Sequence, residues 1–122
     1  MKVLLVEDET TLAGILARNL HAHGHDVQVS ETVEDACESL EQWRPDALVV
    51  DVNLPDHSGW EILRRLSPGE RERLRVIVTS AAPISRKRIE EFQPLRALQK
   101  PYPIDALLRA IEDQVEVESI GD

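Results

Sequence analysis

The sequence predicts an α/β fold, a parallel sheet covered by helices on both faces. Three observations predict it. Short apolar runs at 2–6, 47–50 and 76–79 are each closed by polar or turn residues, as buried parallel strands are. Between them lie stretches with apolar residues at helical spacing. Each run also ends in residues able to do chemistry: Glu7-Asp8 after the first, Asp51 after the second, Ser80 after the third. Strands alternating with helices imply right-handed crossovers in one sheet.

Lys2–Val6 reads as the first strand and Glu7, Asp8 and Glu9 as the loop after it, with Thr10 or Thr11 placed to cap a helix. Leu12, Ile15, Leu16 and Leu20 keep helical spacing, and Gly24 suits the position after a helix end. Asp26–Ser30 alternates polar and apolar residues and reads as an outer strand. Thr32 with Asp35 resembles a capping box, and Val33, Ala36, Cys37 and Leu40 form one face of a second helix. It should end near Trp43, ahead of Pro45. Ala47–Val50 is the third strand and runs straight into Asp51. A third helix starting near Ser58 or Gly59 uses Ile62, Leu63 and Leu66, and Pro68-Gly69 reads as a turn. Val76–Thr79 is the fourth strand. The stretch from Pro83 to Phe92 holds only a short fourth helix, closed by Pro94, and Leu95–Gln99 is a weak fifth strand ending at Lys100-Pro101. Pro103 fits the first turn of a fifth helix carrying Ile104, Leu107, Leu108, Ile111 and Val115. The expectation is therefore five strands, five helices and a single domain over 1–122. Its core spans 2–115, and an acidic tail over 116–122 should fray.

The chain of 122 residues is 42% hydrophobic and 30% charged, enough for one domain to bury a core. The single Cys37 cannot form an internal disulfide, and no apolar run has the length of a membrane span or a signal peptide, so the cytoplasm is the expected location. A net charge of −9 argues against direct binding to nucleic acid or an anionic membrane. The charge is uneven: between Arg64 and Arg88 eight basic residues face two acidic ones, so this stretch carries +6 and the rest −15. That stretch is either a solvated face or a docking edge for an acidic protein. His21, His23 and His25 are interrupted by Gly24 and read as a solvated helix end, not a metal site. Cys37 reads as a small core residue, while Trp43 and Trp60 suit either core or surface.

If the first and third strands are neighbours, Glu7, Asp8 and Asp51 share a small space at the carboxyl edge of the sheet, where open α/β sheets bind ligands. Like charges that close call for a cation or a proton among them. The strand-end residues come in order: Glu7-Asp8, then Asp51-x-Asn53-x-Pro55 with Gly59 eight residues after Asp51, then Ser80-Ala81, then Lys100-Pro101. In that order, from Lys2 to about Val115, the sequence resembles the receiver domain of bacterial two-component response regulators, the CheY-like superfamily.

The resemblance implies a flavodoxin-like, doubly wound (βα)5 fold with a five-stranded parallel sheet in the order 2-1-3-4-5. It implies that Asp51 is the phosphoacceptor, assisted by Ser80 and Lys100, and that Mg²⁺ is held by Asp8, Asp51, the Asn53 carbonyl and, through water, Glu7. The implied donor is a histidine kinase or histidine phosphotransfer protein, and the implied output is binding of a downstream protein effector at the helix 4/strand 5/helix 5 face. Neither nucleic acid nor membrane is an expected partner, and the chain is not expected to be a conventional enzyme. By the same resemblance the Lys100-Pro101 bond is expected to be cis.

One departure stands out. Ala97 occupies the position, three before Lys100, where many receivers carry an aromatic switch residue, and Tyr102 does not replace it. Signalling is then expected to run through displacement of the loop after strand four and of the short fourth helix. The alternatives are a degenerate receiver that binds partners without phosphorylation, a haloacid-dehalogenase-type Mg²⁺ phosphohydrolase and a flavin-binding module. The phosphohydrolase wants a second aspartate where Asn53 stands, and the acidic, Gly-poor loops offer little to a flavin phosphate.

Overall fold

The computed structural model describes residues 1–113. Its strands are β1 (Lys2–Val6), β2 (Asp26–Ser30), β3 (Ala47–Asp51), β4 (Arg75–Ser80) and β5 (Arg96–Gln99). Its helices are α1 (Thr10–Ala22), α2 (Val33–Trp43), α3 (Trp60–Arg65), α4 (Pro68–Arg73), α5 (Arg86–Phe92) and α6 (Ile104–Glu112). The strands form one parallel sheet in the order β2-β1-β3-β4-β5.

Successive side chains of a strand point to opposite faces. Leu4, Val6, Leu48, Val50, Val76 and Val78 therefore pack under α2, α3 and α5, against Leu40, Ile62, Leu63 and Phe92. Val3, Leu5, Ala47, Val49 and Ile77 pack under α1 and α6, against Leu16, Leu20, Leu107 and Ile111. This two-sided burial is why β1 and β3 read as unbroken apolar runs and β2, at an edge, does not. The other edge strand, β5, leaves Arg96, Ala97 and Gln99 exposed. α1 ends ahead of Gly24, whose φ of +89° is backbone that a side chain would strain.

Three expectations are corrected. Pro68-Gly69 is not a turn but the start of α4, giving six helices among the described residues. Ser67 and Glu70 make a reciprocal capping box and Pro68 sits in the first turn, where its missing N–H costs nothing. Neither Thr10 nor Thr11 caps α1, because both lie inside it; Glu9 holds the cap position without a side-chain bond. His25 is not part of a solvated end. It is buried, its Nε2 lies 2.8 Å from Glu112 Oε2 and its Nδ1 lies 3.2 Å from the Met1 amine, so it joins the start of β2 to α6. Cys37 is half-buried at the margin of the core. The expectations for Val115 and for the tail over 116–122 fall outside the described residues.

Candidate functional site

The order of the sheet brings the carboxyl ends of β1 and β3 together, with β4 beside β3 and β5 beyond it. Consecutive connections run in opposite directions from this point, which opens a crevice above the strand ends. Glu7 follows β1, Asp51 ends β3, Ser80 ends β4 and Lys100 follows β5.

Glu7, Asp8 and Asp51 each offer a carboxylate oxygen, all within 4.8 Å of one another. Glu7 and Asp51 are buried, and Asp8 is exposed at the mouth. The Lys100 ammonium reaches between the buried pair, donating to Glu7 Oε1 at 2.9 Å and to Asp51 Oδ2 at 3.0 Å. Burial alone pulls its pKa down, but these hydrogen bonds outweigh that and hold it above the ordinary value. Burial also pushes the Glu7 carboxyl above its ordinary range, and hydrogen bonds from Lys100 and the Glu9 N–H offset only part of the rise. One ammonium does not compensate two buried carboxylates. Tyr102 packs against the core nearby, within range of these charges, and its phenol is pushed up to about 12, chiefly by burial. The peptide bond between Lys100 and Pro101 is cis.

The loop after β3 is closely built. Asp51 Oδ1 accepts from the Asn53 N–H at 3.0 Å, the Gly59 N–H donates to the Val52 carbonyl at 2.8 Å, and Asn53 forms an antiparallel bridge with Ser58. Gly59 returns the chain so tightly that a β-carbon there would stand 2.3 Å from the Asp51 carbonyl oxygen. Ser80 is buried, and its Oγ accepts from the Ala82 N–H at 3.1 Å.

All-oxygen donors, two of them buried and under-compensated, fit a hard divalent cation such as Mg²⁺ or Ca²⁺. A second cluster, Glu34, Asp56 and His57, is exposed throughout. Its carboxylates are already engaged, Glu34 by Arg65 at 3.0 Å and Asp56 by the backbone N–H groups of Val33 and Glu34.

Comparison with known proteins settles the family. The sequence profile described as the response regulator receiver domain matches residues 3–112. The chain belongs to that family. It is 35% identical, over 98% of its length, to a protein-glutamate methylesterase/protein-glutamine glutaminase from Syntrophus aciditrophicus, of which it covers 38%. It spans between 26% and 57% of the lengths of several curated relatives that it matches. Among solved structures, the signal receiver domain of a modulated diguanylate cyclase from Desulfovibrio desulfuricans superposes with a TM-score of 0.80 and 30% identity, over 99% of this chain and 98% of that one. A response regulator from Burkholderia pseudomallei, solved with a phosphorylated aspartic acid and a calcium ion, gives a TM-score of 0.83 at 21% identity, over 98% of this chain and 69% of that one. That likeness concerns the fold.

Of the residues named from the sequence, the structure brings Glu7, Asp8, Asp51 and Lys100 together, hydrogen-bonds the Asn53 N–H to Asp51, and sets Ser80 at the end of the neighbouring strand. Three features were not foreseen. Lys100 engages Glu7 as well as Asp51, Tyr102 lies within range of their charges, and Asp56 reaches α2. The basic stretch is also resolved. Arg64, Arg65 and Arg88 pair with Glu61, Glu34 and Glu91, and Arg71, Arg73 and Arg75 donate to the backbone carbonyls of Phe92, Pro45 and Asp113. Only Arg86 and Lys87 of the eight lack such a partner among the described residues. Most of this charge braces the chain.

Proposed function

We propose that this receiver domain accepts a phosphoryl group on Asp51 from a phosphohistidine of a kinase or phosphotransfer protein, and passes the signal on by protein binding. The observation that carries the reading is the Lys100 ammonium set between the buried carboxylates of Glu7 and Asp51, with Asp8 beside them. An Asp51 carboxylate oxygen forms the new P–O bond as the P–N bond of the phosphohistidine breaks. Asp8, Asp51 and the Asn53 carbonyl would hold Mg²⁺, with Glu7 acting through water; when bound, the ion supplies positive charge for the transferring group. Lys100 exchanges its contact with the Asp51 carboxylate for one with a phosphoryl oxygen. Ser80 turns its hydroxyl from the Ala82 N–H toward the same group and draws in the loop after β4.

That loop leads into α5, so its displacement is the output we assign. Trp60 at the start of α3 stacks on Phe92 at the end of α5, with ring centroids 4.9 Å apart and planes inclined by 16°. Arg64 lies 5.3 Å from the Phe92 ring and Arg88 6.0 Å from the Trp60 ring. This stack joins the phosphoacceptor loop to α5 in a chain that has Ala97 in place of an aromatic. The partner at the α5/β5/α6 face is a protein, and the setting is the cytoplasm; among the described residues no helix is long and apolar enough to cross a membrane. Phosphoryl transfer to its own aspartate is the only chemistry we assign to this stretch. Any further activity would belong to the longer proteins that such receivers are part of.

The test is intact-protein mass after incubation with a small phosphodonor and Mg²⁺, beside Asp51→Asn. A Mg²⁺-dependent phosphoryl adduct on the wild type alone is expected. A folded wild type that takes no adduct would overturn the reading and favour an adaptor that works without phosphorylation.

A further inference from the structure

The loop from Asp51 to Gly59 carries the phosphoacceptor and the Asn53 carbonyl. Its base is closed by the Val52–Gly59 and Asn53–Ser58 pairing. Its tip meets α2 through an exposed His57–Glu34 contact at 3.9 Å and, more closely, through Asp56. The two oxygens of this carboxylate accept from the first two N–H groups of α2, Oδ1 from Val33 at 3.0 Å and Oδ2 from Glu34 at 3.3 Å. These donors have no partner within the helix, and the positive end of the helix dipole favours a carboxylate there. Partial desolvation pulls the Asp56 pKa up, yet backbone hydrogen bonds, with Val33 first, hold it below its ordinary value. α2 also has its own cap, since Thr32 Oγ1 accepts from the Asp35 N–H at 3.1 Å. Asp56 is therefore a second cap, supplied from another element, that takes the two N–H groups Thr32 leaves. Val33 is fully buried in the core, so the anchor is a fixed one.

We propose that Asp56 is a positioning residue for phosphoryl acceptance: it ties the tip of the phosphoacceptor loop to the rigid start of α2 and so holds Asp51 and Asn53 in register with Asp8 and Lys100. This rests on the assignment of Asp51 as acceptor made above. Without the tie, the loop keeps its base pairing but gains freedom at its tip, and the oxygen donors on it must be ordered anew whenever the cation binds.

The experiment compares Asp56→Ala, Asp56→Asn and Thr32→Ala with the wild type. It measures Mg²⁺ affinity by calorimetry and the phosphorylation rate with a small phosphodonor at saturating Mg²⁺, and follows folding by circular dichroism. Both capping substitutions weaken the start of the same helix, but only the first frees the loop. Asp56→Ala is expected to weaken Mg²⁺ binding by about fivefold, the factor that corresponds to one lost cap. Asp56→Asn keeps an oxygen acceptor for Val33 and should recover most of that loss. Thr32→Ala should lose stability with no change in Mg²⁺ affinity. Asp56 is exposed at the surface, so its variants should fold, and the asparagine variant keeps the comparison decisive if the alanine one does not. Unchanged Mg²⁺ affinity in Asp56→Ala, or an equal loss in Thr32→Ala, would overturn the proposal. A wild type that binds no Mg²⁺ and takes no phosphoryl group would instead overturn the assignment of Asp51, and the role of Asp56 with it.

Discussion

Gly59→Ala places one methyl group against the phosphoacceptor. The added carbon would lie 2.3 Å from the Asp51 carbonyl oxygen and 2.8 Å from the Val52 α-carbon. Ordinary contact begins near 3.4 Å, so the two segments must part by about 1 Å. Neither neighbour is a flexible side-chain tip. Asp51 pairs with Thr79 in the sheet, and the Val52 N–H donates to the Thr79 carbonyl at 3.0 Å. Overpacking of this kind costs about 1–3 kcal/mol, and the rigidity of both neighbours puts this case at about 2–3 kcal/mol. A displacement of about 1 Å at a reacting group costs about 10²-fold in rate, so phosphorylation should slow by about that factor. Gly14→Ala is the control. Gly14 lies within α1, nothing stands within 4 Å of its would-be β-carbon, and alanine there should add about 0.8–1 kcal/mol. Urea denaturation and the mass assay measure both quantities. If Gly59→Ala matched the wild type within about 0.5 kcal/mol and kept its phosphorylation rate, the close approach would be refuted, together with the argument that it sets the Asp51 geometry.

Three further outcomes are expected. The chain has one tyrosine, so absorbance titration reports Tyr102 alone; it should ionise near 12 when folded and at its ordinary value in denaturant. Because the folded pKa is the higher one, the stability linked to Tyr102 is complete below about 10 and is lost as pH rises through about 12. Lys100→Met leaves Glu7 and Asp51 without their ammonium and should cost about 2–3 kcal/mol without Mg²⁺, less than the loss of a fully buried partner. Added Mg²⁺ should raise the melting temperature of this variant more than that of the wild type, and an equal rise would count against a shared cation site. Phe92→Ala removes the stack on Trp60 and opens a cavity in the core. It should cost about 3–5 kcal/mol by urea denaturation and shift tryptophan emission to the red; an unshifted spectrum would show that Trp60 stays covered without it.

Much of the fold was legible before any coordinates. The unbroken apolar runs of β1, β3 and β4 announce strands buried on both faces, and the helical spacing between them announces the crossovers. The residues of the site were legible for a related reason. Each stands at the end of its own strand, so Glu7, Asp51, Ser80 and Lys100 could be picked out one at a time from their immediate neighbours. What failed was local punctuation. Pro68-Gly69 opens a helix because Ser67 and Glu70 cap it, a pattern that the turn-like dipeptide hides. The helix-breaking Gly24 made His25 look like part of a wet end, when the chain carries it under α6.

The sequence by itself determined that there would be a parallel sheet covered on both faces, with carboxylates and a lysine at the ends of its strands. Periodicity and strand-end residues are short-range properties, and short-range properties can be read along a chain. The tertiary structure alone decided how those groups are joined. The Lys100–Glu7 bond spans 93 residues of sequence, His25–Glu112 spans 87 and the Asp56 tie to Val33 spans 23. Gly59 is required because two backbone segments meet there, which no neighbour in the sequence reveals. A side chain's partner across the sheet is set by which strands lie side by side and by how far each loop reaches, and those distances exist only once the core has packed.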